Sequence, residues 1–346
     1  MTGRGVAVCL ALLLSVLTVE AQQVKLRITS QAPSEHHLGK GLTQLKDEVE
    51  RRTNGALTFE IFHNSSLYKD YQVLGAVSSG AIEMGLLATD QLVDKVPAIG
   101  FLQEPFVFNF NTLVRAATDP KRELRPLLDN AILTTTGIRV LMWLPFGAAV
   151  VVSNQQPALS PADISNRKVR VLGKTHGAFI KQCGGVPTLI PANDQVAAIR
   201  DGRVDMVMTA LTSVTSRGLW KVTDTITRTE HATYEILGVI NESVWQGLPD
   251  SQKAILADAA REVERKLRDQ ITEIEENDYR FVREKGMKIN ELTPDQTAEW
   301  RACSGPVLED YMTSAGELGR RLMAAYGKLR LDPCCSAGPE GLFTRR

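Results

Sequence analysis

The same strand–helix–strand rhythm occurs twice along the chain, and this repetition restricts the fold more than any other feature. In the first stretch Val24, Leu26 and Ile28 alternate with Lys25, Arg27 and Thr29, the period of a half-buried strand. Leu38, Leu42, Leu45 and Val49 follow at helical spacing, and Asn54-Gly55 supplies a left-handed stop. Leu57, Phe59 and Ile61 predict a second strand, Asp70 a cap for a helix running through Ser79, and Gly80 its end before a third strand over Ile82–Leu87. The second stretch carries strands at Val169–Leu172, Thr188–Ile190 and Val204–Met208. Its helices include Ala178–Gln182 and a segment capped by Asn193 that holds Val196 and Ile199. Parallel strands need helical crossovers, so each stretch predicts an α/β sheet covered on both faces, with ligands bound beyond the carboxyl ends of the strands.

Trp143–Gly147 and the apolar run Ala148–Val152 predict a buried strand that passes from one unit to the other. After Leu248-Pro249-Asp250, a single apolar stripe runs through Ile255, Ala259, Val263, Leu267, Ile271 and Ile274. At 1.5 Å per residue this helix is roughly 50 Å long, wider than one small domain, so it should brace both. Its apolar steps are mostly of four, which disfavours a coiled-coil seam. The resulting division has 22–147 with about 235–275 as domain I, 148–234 with about 276–330 as domain II, and 331–346 as a cysteine-containing tail. A length of 346 residues accommodates two domains.

Residues 1–21 pair an early Arg4 with an apolar run from Val6 to Leu17 and end in Val19-Glu20-Ala21, the pattern of a signal peptide cleaved after Ala21. The chain should therefore be exported. Its 40 basic and 40 acidic residues balance, and no clustered basic field suggests nucleic acid or an anionic membrane as partner. Beyond the leader, Cys183, Cys303, Cys334 and Cys335 allow three full disulfide pairings. They lack the spacing of a zinc site, so no metal or cofactor is expected. No GxSxG elbow and no HExxH helix occurs, and no nucleophile stands beside a recognisable base, so catalysis is not expected. Glu35, His36 and His37 cluster after the first strand. Adjacent histidines cannot share one face of a helix or strand, which favours surface or pocket-rim roles over metal.

What remains is binding between two lobes. Arg170 lies near the carboxyl end of the Lys168-Val169-Arg170-Val171 strand, where a guanidinium could grip a carboxylate through two parallel hydrogen bonds. A solvated strand-face arginine accounts for the same position.

Several motifs in order resemble the solute-binding subunits of tripartite ATP-independent periplasmic (TRAP) transporters, of the DctP type. They are RRTNGALTFEIFHNSSLYKD (51–70), GAIEM (80–84), EPFVF (104–108), KVRV (168–171), IRDGRVD (199–205) and WQGLPDSQKAIL (245–256). The likeness runs from about Val24 to about Tyr326. It implies a two-lobed periplasmic-binding-protein fold with a long helix bracing both domains, a cleft that closes on ligand, and no catalysis. It also implies that the exported chain resides in the periplasm, that Arg170 binds the ligand carboxylate and that the partners are a small organic acid and the TRAP permease membrane subunits. A monomer is the neutral expectation. The alternative is a ligand-binding input of a sensor or scavenger system without a transport partner.

Departures from the family pattern bear on the ligand. Thr209 stands where many relatives carry an asparagine, Ala149 where sugar-acid binders carry a second arginine, and Ala88 and Gln91 where they carry an acid and an arginine. Gln31 takes an asparagine's place, while Asp70 matches an aspartate and reads mainly as a helix cap. Phe146, Met208 and Trp143 are placed near the cleft, although core packing would account for each equally well. Thr89 and Asp90 follow the third strand as positional candidates. A cleft poor in donors selects against polyols. The expected ligand is thus a 2-oxo acid, a short dicarboxylate or an aromatic carboxylate.

Overall fold

A computed structural model describes residues 23–336; the expected leader lies outside the described residues, as do residues 337–346 of the tail. Ten strands form the frame: β1 (Val24–Thr29), β2 (Leu57–Phe62), β3 (Met84–Ala88), β4 (Ile138–Ser153), β5 (Lys168–Val171), β6 (Val186–Leu189), β7 (Met206–Ala210), β8 (Thr225–Arg228), β9 (Thr233–Asn241) and β10 (Lys288–Glu291). In the first lobe β1 pairs in parallel with β2 and β3, and β9 joins β3 to β4 by antiparallel ladders. In the second, β5 lies parallel between β6 and β7, and β7 and β8 flank β4 antiparallel. The alternation in β1 works as the sequence reads: Leu26 and Ile28 are buried, while Arg27 turns outward and forks onto Glu83 at 2.8 and 2.9 Å.

One strand serves both sheets. Ile138–Ala148 of β4 pairs with β9 and Ala149–Ser153 with β7 and β8, so the lobes are sewn together where the partner changes. The register shifts between Pro145 and Gly147, and Gly147 has φ +122°, a conformation side chains rarely adopt. Glu275 of the long helix braces this bend by accepting from the Ala148 N–H at 2.5 Å.

That helix spans Asp250–Glu284, 35 residues. Leu256, Ala259, Ala260, Val263 and Leu267 pack into a core shared with β1, β3 and the helix His37–Arg52, whereas Tyr279 and Val282 enter a core of the second lobe. It braces both lobes because its stripe continues past the width of either. Buried ion pairs fix it to the first lobe. Arg268 forks onto Glu235 at 2.6 and 2.7 Å, and Glu264 takes the fork of Arg125 at 2.6 and 3.0 Å.

The C-terminal helices depart from the expected division. Trp300 and Val307 pack in the second lobe, but Tyr311, Ala315, Leu322, Ala325 and Leu329 belong to a core with Phe101, Phe108, Leu128 and Trp143 of the first. Residues beyond about 310 therefore return to the first lobe rather than remaining in the second, because the Gly316–Arg330 helix covers that lobe's outer face. Of the three possible cysteine pairings, the fold makes Cys183–Cys303 and Cys334–Cys335. The first joins the ends of the helices Lys174–Gln182 and Pro294–Ala302, which bring the two Cα atoms to 5.2 Å.

Candidate functional site

The carboxyl ends of β1, β3, β5 and β7 converge on a cavity of about 30 Å³ between the lobes, lined by Gln31, Asp70, Ala88, Asp90, Gln91, Phe146, Arg170, Leu172, Ala192, Thr209, Ser213 and Ile236. Hydrogen bonds draw the lobes together around it. Asp70 accepts from Ala192 N at 2.9 Å, Arg217 donates to the Gln31 carbonyl at 2.7 Å, and Asn193 donates to the Asn64 carbonyl at 2.5 Å. Lys174 pairs with Asp94 at 2.6 Å on the rim.

Arg170 is only 3 % exposed, so a solvated strand-face role is excluded. Its Nε donates to the Ile190 carbonyl at 3.0 Å and its Nη1 to the Met208 carbonyl at 3.1 Å. These bonds lock the guanidinium plane and leave Nη2 without a partner among the described residues. Nor does any described carboxylate form an ion pair with Arg170. Burial pulls its pKa down, with Asp70 and Asp90 opposing that shift from across the cleft.

Asp90 faces it from the first lobe, 8 % exposed, its pKa pushed up to about 7 mainly by burial, against the pull of Arg170. Tyr234 and His176 stand behind, both buried, with the Tyr234 hydroxyl and both His176 ring nitrogens unbonded. Burial raises the Tyr234 phenol and lowers the His176 imidazole to about 3, so both are neutral near pH 7. Arg217 is lowered to about 10 by burial and by the charge of Arg170.

Of the residues singled out in the sequence, Arg170, Thr209, Phe146 and Gln31 meet at this cavity. Three do not. Trp143 packs in the first lobe's outer core and donates through Nε1 to Asp129 at 2.8 Å, because it projects from the opposite face of β4 to Phe146. Met208 is 0 % exposed and packs with Met206 and Phe179; only its carbonyl reaches the site, through Arg170. Thr89 is turned away and accepts from Gln103 at 2.5 Å, since the short helix Thr89–Leu92 presents Asp90 to the cavity instead. Asp70 is also not the helix cap expected: it is the first residue of the turn Asp70–Gln72, and its Oδ2 bonds across the cleft. Arg217, Tyr234 and His176 were missed, and only their distance along the chain hid them.

His36 is buried and His37 half-buried, and both take the pocket-rim role, though at a groove other than the Arg170 cavity. His36 accepts from Leu38 N through Nδ1, so Nε2–H donates to Thr212 Oγ1 at 3.2 Å, and Thr212 donates onward to the Phe146 carbonyl at 2.7 Å. Burial depresses both imidazoles, His37 to about 4. They border a charged groove of about 1300 Å³ between the His37–Arg52 helix and the long helix, away from Arg170. Among the described residues no group of His, Cys, Asp and Glu is placed to hold a metal ion, and no helix is long and apolar enough to cross a membrane.

Two α/β lobes joined by a shared strand and a long brace, closing on a buried arginine, define a two-lobed solute receptor. Residues 28–314 match the family described as bacterial extracellular solute-binding protein, family 7 (DctP), and the chain belongs to that family. A solute-binding protein of Verminephrobacter eiseniae is 25% identical over 272 residues, 78% of this chain and 80% of its own. Among solved structures, DctP7 of Bordetella pertussis, an extracytoplasmic solute receptor binding pyroglutamic acid, superposes with TM-score 0.83 at 21% identity, covering 88% of this chain and 99% of its own. A TRAP periplasmic solute-binding protein from Sulfurospirillum deleyianum with bound succinate gives 0.82 at 23%, with 88% and 99% covered. The family is one of solute receptors, not an enzyme class.

Proposed function

We propose that this protein is the receptor of a TRAP transporter, capturing a small, partly apolar organic acid in the interlobe cavity, with its carboxylate on Arg170, and presenting the closed form to the permease. The observation that carries this reading is a guanidinium buried to 3 % exposure with no carboxylate paired to it. A buried cation without a counter-charge is costly, and a ligand carboxylate supplies one while meeting the free Nη2 and the second N–H of Nη1. Phe146, Leu172, Ile236, Ala88 and Ala192 give the cavity apolar walls. The bound relatives fit that chemistry, since pyroglutamate and succinate both carry a carboxylate on a small frame. Closure is a hinge motion in which ligand biases an open and closed equilibrium. Catalysis plays no part in this reading, and the protein acts as a monomer, exported to the periplasm after loss of its leader.

Thermal unfolding against pyroglutamate, succinate, pyruvate, benzoate, glucose and lysine tests it. An acid at 100 times its Kd stabilises by about 2.7 kcal/mol, and Arg170→Ala abolishes the shift. Stabilisation by glucose or lysine with none from the acids overturns the reading.

A further inference from the structure

An acid anion brings a second negative charge into a cavity that already contains one carboxyl. Asp90 is held there by contact with Gly173, where a Cβ would lie 2.3 Å from Asp90 Oδ2. No described cation forms an ion pair with it. Among the described residues no side chain bonds its carboxyl; the nearby backbone N–H groups of Asp90 and Gln91 favour its charged form without outweighing burial. Given the carboxylate reading above, on which this inference rests, a ligand carboxylate on Arg170 shares with the Asp90 carboxyl the one cavity that both residues line. Like charges so close, and away from water, do not both stay ionised. The guanidinium of Arg170 holds the ligand's carboxylate in its charged form, so the proton goes to the other. We propose that Asp90 is a proton-binding site of the cleft, and that the acid anion and a proton are captured together.

The groups around Asp90 favour this. Asp70 repels its charge, and Arg170 is the cation that acts on it from across the cleft. Once Arg170 is committed to the ligand, that opposing pull is spent. Arg217 is engaged with Asn193 and the Gln31 carbonyl, and Lys174 is paired with Asp94. Tyr234 and His176 are uncharged near neutral pH. The backbone N–H groups of Asp90 and Gln91 and the amino end of the Lys174–Gln182 helix still favour the ionised form, the latter with about half an elementary charge. The carboxyl is already raised to about 7 before any anion arrives.

Calorimetric titration tests the proposal, using whichever of pyroglutamate, pyruvate and benzoate binds the wild type most tightly, since all three are fully ionised above about pH 6. Titrations run at about pH 8 in buffers of low and high ionisation enthalpy count protons, and a pH series gives the affinity. Wild type takes up close to one proton per ligand, and its affinity falls by up to about tenfold per pH unit above neutrality. Asp90→Asn, which keeps the side chain's shape and a donor, binds the same acid with no proton uptake and a flat pH profile. Wild-type binding without buffer-dependent heat, or an Asp90→Asn profile as steep as wild type, overturns the proposal and leaves the carboxylate reading standing. Failure of these three acids and of succinate to bind wild type overturns the carboxylate reading itself, and this inference with it.

Discussion

Replacing Gly173 with alanine should weaken ligand capture without weakening the fold. The added Cβ would lie 2.3 Å from Asp90 Oδ2, 2.6 Å from its Cβ and 2.8 Å from its Cγ. Ordinary carbon contacts sit at about 3.5–4.0 Å, so the facing segments must part by about 1 Å. Rotating the carboxylate does not relieve this, because the Asp90 Cβ is itself too near. Gly173 is extended, with φ −164°, a backbone any residue adopts, so alanine introduces no local strain. The cost therefore falls on the closed form alone. Overpacking of this kind typically costs about 1–3 kcal/mol, which converts to roughly 5- to 150-fold in Kd. Titration calorimetry with the tightest-binding acid reads the affinity, and urea unfolding of the ligand-free protein reads the fold. An unchanged Kd would show that binding does not require Asp90 to approach Gly173. A fall in ligand-free stability equal to the loss of affinity would place the clash in the fold rather than in closure.

Two further outcomes follow from buried charges away from the cavity. Arg268→Met leaves Glu235, 3 % exposed, as an unpaired buried carboxylate and should cost about 3–5 kcal/mol in urea unfolding, most of it regained in Arg268→Met/Glu235→Leu; a loss below about 1 kcal/mol would refute this account of the pair. Glu104, 2 % exposed, has its pKa raised to about 8 by burial and by Asp310. Its folded value lies above the unfolded 4.5, so between 4.5 and about 8 the native state binds the extra proton and stability falls as pH rises across that range, levelling off beyond it. Glu104→Gln should gain on wild type between about pH 5 and 8, and parallel stability curves would refute the assignment.

Much of the scaffold was legible because local periodicity reports which face of an element is buried. The alternation in β1, the stripe on the long helix and the apolar run of β4 needed no partner to be read. Arg170 stood out because its strand ends where open α/β sheets bind ligands, and Gln31 follows the carboxyl end of β1 in the same way. The misplacement of Trp143 was avoidable: it is three residues from Phe146, an odd step that puts the two on opposite faces of a strand.

Other features depend on which segments meet. Whether Asp90 or Thr89 faces the cavity is set by the turn of a four-residue helix against the second lobe, to which sequence spacing is blind. Arg217, Tyr234 and His176 come from different elements and are brought around Arg170 only by the tertiary fold. Pairing Cys183 with Cys303 required two helix ends, 120 residues apart in the chain, to be packed side by side. The sequence by itself determined the strands and the brace, because a side chain's face follows from a repeat of two or 3.6 residues, whereas the ligand role of the arginine rested on the family resemblance. Tertiary structure alone decided what opposes that arginine, because the charge balance of a cleft belongs to groups that no periodicity connects.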